Sequence, residues 1–321
     1  SYVGLENLDF TLDNPFVASY KDNGKGINLT GMFQNNSKLT EMSGEENWDL
    51  TYVKNMSKMF DGASALTSLD VSEWNTGAVT NMGSMFQNAK ALLSLDTSEW
   101  DTKNVTSMSR MFNTAESLMH LDVSQWDTSK VTTLRTMFQN EKSLVKLDTG
   151  NWDTSQVTDM AYMFNGASAL TSLDVSNWQT DAVTTMSTMF QNADSLNRLD
   201  MTNWDTNNVT DIRYMLASMD VLKEITIGEK FVTTKATSIT PGALELPNDT
   251  AKLKWRNVAD GTVAVPLGTE YIGDYRSGTN VADTYVLTDK VGAKIDYTDK
   301  SLIPEQVAAT DYLSGLIGST V

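Results

Sequence analysis

Six aspartates recur at one fixed interval: Asp70, Asp96, Asp122, Asp148, Asp174 and Asp200. Carboxylate oxygens at a fixed repeat can ligate a hard cation such as Ca2+. They can equally be held ionised by local hydrogen-bond donors. A hydroxyl residue follows most of them by two positions (Ser72, Ser98, Ser124, Ser176, Thr202), which supplies such donors. Two positions earlier runs Ser68, Ser94, His120, Lys146, Ser172 and Arg198, which adds positive charge toward the C-terminal half. The spacing does not match a dedicated calcium loop, so Ca2+ stays an open ligand and no metal or other cofactor is assigned. The six aspartates with His120, Lys146 and Arg198 are the candidate ligand-binding residues. They form a regular ladder, whereas catalysis needs one asymmetric constellation; the expectation is a non-enzymatic protein.

Composition narrows the field. The chain has 321 residues and 41 acidic against 24 basic side chains, a formal charge of −17. Nucleic-acid binding calls for a basic footprint, and an anionic membrane surface repels this balance. There is no cysteine, which removes disulfides, thiolate metal sites and cysteine nucleophiles. The single histidine, His120, leaves no His-pair metal site and poor support for a triad. No apolar run approaches the ~20 residues of a membrane span. The opening Ser1-Tyr2-Val3-Gly4 reads as a mature or excised fragment.

The 17 Met and 8 Trp are high for any chain, and their positions explain them. Trp48, Trp74, Trp100, Trp126, Trp152, Trp178 and Trp204 are each 26 apart. The unit reads L-x-x-L-D-x-S-x-W-x-T-x-x-V-T-x-M-x-x-M-F-x-x-A-x-x. So strict a period means a solenoid, in which each coil buries its apolar face against its neighbours. The ends depart from the unit: Met32-Phe33 and Met59-Phe60 are 27 apart, and Leu216 and Ile225-Thr226 replace Phe and Leu-Asp.

Within a coil, Leu69 and Val71 alternate with Ser68, Asp70 and Ser72, which predicts a short half-buried strand. From Val79 the apolar residues Met82, Met85, Phe86 and Ala89 follow steps of three and four, which predicts a short helix. Thr76 and Thr80 sit where a capping hydroxyl is useful. Strand plus helix within one repeat unit of this length fits the leucine-rich class. The expected fold is therefore an α/β solenoid, with a parallel sheet on the concave face and short helices on the convex face. The Met columns are expected to fill the core. The Trp column has two readings, core stacking or an exposed ridge for sugars.

The tract L-D-x-S-x-W-D-T-x-x-V-T-x-M-x-x-M-F over residues ~29–228 resembles the BspA-like leucine-rich repeat of bacterial cell-surface proteins. The resemblance implies a surface protein, often an adhesin. Before it lies an N-terminal cap, 1–28. After it, composition shifts to Thr, Val, Gly and Tyr, and a β-rich module is expected over 229–290, with strands at Lys252–Val258 and Ala282–Leu287 and a turn at Asp260-Gly261. The segment 291–321 is similar to the opening of a mucin-binding (MucBP-type) repeat, through Ile295-Asp296-Tyr297 and Gly315–Gly318. Leu246-Pro247-Asn248-Asp249-Thr250 is internal and lacks the form of a wall-sorting signal.

Two functions follow. One is an extracellular adhesin on a bacterial cell wall, Gram-positive by the resemblance, whose strand face binds a host mucin, another glycoprotein or a matrix protein. The other is a spacer that projects further adhesive domains and binds little itself.

Overall fold

The structure, a computed structural model, describes residues 26–45, 48–228 and 230–231, with the backbone of the strand segments Asn7–Asp9, Lys254–Asn257 and Asp283–Thr288. The chain winds into stacked coils joined by parallel pairing. One ladder is built from β1 (Asn7–Asp9), β3 (Glu41–Ser43), β5 (Ser94–Leu95), β6 (His120–Leu121), β7 (Lys146–Leu147), β8 (Ser172–Leu173), β9 (Arg198–Met201) and β10 (Glu224–Ile227). The pairs β1–β3, β5–β6, β7–β8 and β9–β10 are parallel and place equivalent residues side by side, Leu95 on Leu121 and Leu147 on Leu173. A second ladder begins with β2 (Ile27–Asn28) on β4 (Val53–Asn55) and continues as one bridge per coil through Asn55, Asn81, Ser107, Thr133, Asp159, Thr185 and Asp211. Segment Asn7–Asp9 of the expected cap thus extends the first ladder, although it lies outside the strict repeat.

The expected helices on the convex face are not there; the described residues contain no α-helix. Instead, the Met-Phe segment is a string of turns. Met59 donates its N–H to the Met56 carbonyl (3.2 Å) and Ala63 to the Phe60 carbonyl (3.0 Å). The third residue of each turn is left-handed: Lys58 has φ 58° and Gly62 φ 77°, the requirement of a type II turn. The alternate N–H groups reach the next coil: Met56 to Asn81, Lys58 to Gly83, Phe60 to Met85 and Gly62 to Gln87, at 2.8–3.0 Å. An α-helix sends every N–H to a carbonyl one turn back in the same segment; here those donors are committed to the following coil. Apolar steps of three and four place the same side chains inward in either arrangement.

Thr76 and Thr80 consequently cap no helix. The Thr76 hydroxyl donates to the Asp101 carbonyl (3.1 Å), and Thr102, Thr128 and Thr180 repeat the bond to Asp127, Asp153 and Asp205. Thr80 faces the preceding coil, where both its N–H and its hydroxyl bond to the Lys54 carbonyl.

The core is made of columns. All seven repeat tryptophans are buried, and consecutive indoles stack at 5.6–6.4 Å with planes within 9° of parallel. Trp100, Trp152 and Trp204 donate their ring N–H to the carbonyls of Val71, Val123 and Val175. The exposed sugar-stacking ridge is therefore excluded for this column. Phe33, Phe60, Phe86, Phe112, Phe138, Phe164 and Phe190 form a second stack at 5.2–5.7 Å. The Met columns fill the space between coils and are fully buried.

At the C-terminal end the polarity of the sheet reverses. β12 (Asp283–Thr288) pairs antiparallel with β10, and β11 (Lys254–Asn257) antiparallel with β12. Both fall at the positions expected for strands, and they cover the edge that β10 would otherwise expose. Gly228 presses against the Thr202 carbonyl so closely that a Cβ has no room. Asp260-Gly261 and the mucin-binding-like segment 291–321 lie outside the described residues.

Two positions depart from their columns in ways that cost stability. The second left-handed column is Asn or Gly at 35, 62, 88, 140, 166 and 192 and Ser at 218, but the β-branched Thr114 occupies it with φ 63°. A β-branched residue is strained there. Thr114→Asn should raise unfolding free energy by about 1 kcal/mol in equilibrium denaturation; an unchanged midpoint would show that the column carries no strain. Glu141 stands in the column of Ala63, Ala89, Ala115, Ala167 and Ala193 and is buried. It accepts the Ala115 N–H at 3.1 Å through one oxygen, and the other oxygen has no partner among the described residues. Burial pushes its carboxyl well above the ordinary glutamate range, opposed by the Ala115 hydrogen bond and reinforced by Glu116. In the unfolded chain the group ionises near its ordinary value, about 4.3, while in the folded chain burial shifts its ionisation to higher pH. Its cost is therefore absent at lower pH and grows as pH rises toward the folded pKa. The stability gain of Glu141→Ala over wild type should increase between about pH 4 and neutrality; a gain independent of pH would refute the assignment.

Candidate functional site

The six repeat aspartates end the strands of the first ladder. Each turns one oxygen, Oδ1, back onto the N–H two residues later, at 2.9–3.2 Å. At Asp70, Asp96, Asp174 and Asp200 the same oxygen also accepts the hydroxyl of Ser72, Ser98, Ser176 or Thr202, at 2.5–2.7 Å. These are Asx turns; the carboxylates hold the chain at the corner where the strand stops. At Asp148 the partner residue is Gly150, which offers an N–H and no hydroxyl. Asp70, Asp96 and Asp122 are exposed, and Asp148, Asp174 and Asp200 are half-buried. The Ser98 hydroxyl, then the Ser98 N–H, hold the Asp96 carboxyl below the usual carboxylate range, against a small opposing effect of burial.

The corner chemistry is used twice more per coil. Asp49, Asn75, Asp101, Asp127, Asp153 and Asp205 take the N–H of Thr51, Gly77, Lys103, Ser129, Ser155 and Asn207. Asn55, Asn81, Asp159 and Asp211 do the same at the second ladder. Much of the acidity is thus turn chemistry. Among the described residues no group of three or more His, Asp or Glu side chains gathers as a metal ion would require.

Along the first ladder, the residues before the buried leucines face outward. Ser94, His120, Lys146 and Arg198 are exposed. Arg198 is drawn into the C-terminal edge, where its Nε lies 2.9 Å from Oε1 of the buried Glu224. His120 and Lys146 stay on the open face beside Asp96, Asp122 and Asp148. One position earlier stand Leu93, Met119 and Val145, three large apolar side chains on adjacent coils, exposed by 44–46%. The flanking coils carry Thr67 and Thr171 there. Reading this column across coils would have found the stripe, because its chemistry changes while the surrounding columns stay constant. His120 and Lys146 are thus exposed one residue after the apolar stripe, two residues before Asp122 and Asp148, whereas Arg198 pairs with Glu224 at the edge.

A parallel-strand repeat array with equivalent residues in register defines the class of this protein. Residues 27–146 and 118–229 match the family described as Mycoplasma protein of unknown function, DUF285. The matches together span residues 27–229, well over half of the chain, and the chain belongs to this family. No curated protein matches it. Among the described residues no helix is long and apolar enough to cross a membrane.

The corner geometry makes a local prediction. Ser98→Ala should raise the pKa of Asp96 toward that of a free aspartate, followed by carboxyl-carbon NMR during a pH titration. An unmoved Asp96 would mean that the N–H alone sets its ionisation.

Proposed function

We propose that this chain is a bacterial surface-binding protein of the BspA-like leucine-rich type, which holds a host mucin, another glycoprotein or a matrix protein against the open face of its first ladder. The observation that carries the reading is the stripe Leu93, Met119 and Val145, exposed on three adjacent coils and flanked by His120, Lys146 and the aspartates. Apolar area rimmed by both signs of charge is what a protein-sized partner covers. The flanking coils build the same position with Thr67 and Thr171, so this departure is not a demand of the fold. Binding in place of catalysis, a cell-wall location and an adjoining mucin-binding segment are parts of the same reading, supported by the repeat resemblance.

A spacer role has its own support in the uniformity of the coils, since identical corners give a stiff rod more readily than a specific site. The double variant His120→Ser, Lys146→Ser restores the residue found at Ser94 and Ser172. Retention of the chain on immobilised mucin, fibrinogen and fibronectin, with and without Ca2+, should fall about tenfold in that variant at unchanged thermal stability. Retention equal to wild type would remove the face from the adhesive role. No retention by wild type would leave the spacer.

A further inference from the structure

The corner after the first ladder changes character once along the array. The position after the corner hydroxyl is Glu73, Glu99 and Gln125 in the earlier coils, then Asn151, Asn177 and Asn203 in three consecutive ones. At the same place Gly150 replaces the serine, and Gln179 replaces the Asp or Asn of the second corner. A shallow hollow of about 540 Å3 opens there, between Gly150, Asp153, Gln179 and the three asparagines, over Trp152 and Trp178.

The glycine is not required by the fold. Its φ is not positive, and an added Cβ would meet Asp174 Oδ2 and Asp148 Oδ1 only at ordinary contact distances of 3.4 and 3.6 Å. A serine, as at Ser72, Ser98, Ser124 and Ser176, would fit and would supply the hydroxyl that Asp148 lacks. Its absence removes a stabilising bond and leaves a hollow. Gln179 braces the floor by accepting the Thr154 N–H and donating to the Asn177 carbonyl. Asn203 donates to the Ser176 carbonyl, and its oxygen takes no partner among the described residues. The exposed carboxamides of Asn151 and Asn177 take no protein partner among the described residues, and Asp153 commits one oxygen to the Ser155 N–H.

We propose that this hollow is a subsite for a neutral oligosaccharide, lying along the stacking axis across Asn151, Asn177 and Asn203. Carboxamides donate and accept at once, as a pair of sugar hydroxyls requires. They recur once per coil beside indoles displaced by 6.2–6.4 Å from coil to coil, so successive sugars would each meet a donor–acceptor pair along the axis. Asp148, Asp153 and Asp174 bring negative charge to the rim and disfavour sialylated or sulfated chains. The indoles beneath are buried, so recognition is by hydrogen bonding and not by ring stacking.

The inference rests on the glycoprotein-binding reading and supplies its ligand class. The test uses the full chain on an array of neutral and sialylated oligosaccharides, with titration calorimetry on oligomers of N-acetyllactosamine. Wild type should bind the neutral oligomers and prefer them to their sialylated counterparts. Gly150→Ser and Asn177→Ala should each weaken binding about tenfold, the loss of one or two hydrogen bonds, while Gly150→Ser melts no lower than wild type. Glycan binding that both variants keep, or a preference for sialylated chains, would overturn the subsite. Retention on mucin protein without any glycan binding would overturn it as well and leave the adhesin reading standing. Loss of both would end the two together.

Discussion

Every backbone N–H in a thin coil has to find an acceptor, and in this protein many of the acceptors belong to a neighbouring coil. A single coil encloses too little interior to satisfy itself. The solution is a parallel ladder at the strands, a second at the Asn55–Asp211 bridges, and a third pattern in the Met-Phe turns, where alternate N–H groups point along the stack. The left-handed residues follow from that demand. Swinging every second peptide toward the neighbouring coil while keeping Met59 and Phe60 inward requires a change of backbone hand, and it occurs at equivalent positions in coil after coil.

Register then dictates chemistry. Once equivalent residues lie one above another, each column must tolerate its own kind. Indoles and phenyl rings do so by parallel stacking, and methionines by adapting to what the rings leave. Columns of carboxylate are the hard case, because like charges on neighbouring strands repel. Here each aspartate is satisfied within its own coil by the N–H, and often the hydroxyl, two residues on. The same bond bends the chain, so what offsets the repulsion also forms the corner.

Against such uniform columns, a departure carries information. Glu141 is a carboxyl in an alanine column, and Thr114 a branched residue in an Asn/Gly column; both sit where the fold would prefer otherwise. Leu93, Met119 and Val145 differ because they are exposed and apolar, and Gly150 because the fold would accept a serine. The first two weaken the stack locally. The others change what the surface offers to a partner, Gly150 at the loss of one hydroxyl bond to Asp148.

The sequence alone determined the period, the identity of the columns and the burial of the methionines, and it left two readings each for the tryptophans and the aspartates, which the structure decided. The determined features depend on residue type and on spacing within a single coil. The strands Lys254–Asn257 and Asp283–Thr288 were legible for the same reason, as was their place as a hairpin-like cap on the last coil, but the sequence did not say that the later strand is the one that pairs with β10. Val79, Met82, Met85, Phe86 and Ala89 read as a helix, because steps of three and four describe only which side chains face inward. Whether the N–H of Phe86 is donated within its own segment or to Met111 depends on a partner one full coil away. That choice belongs to the stacked coils, as does the alignment of His120, Lys146 and the apolar stripe on neighbouring coils while Arg198 pairs with Glu224 at the edge. Only when neighbouring coils are in place does either set of groups have something to bond to.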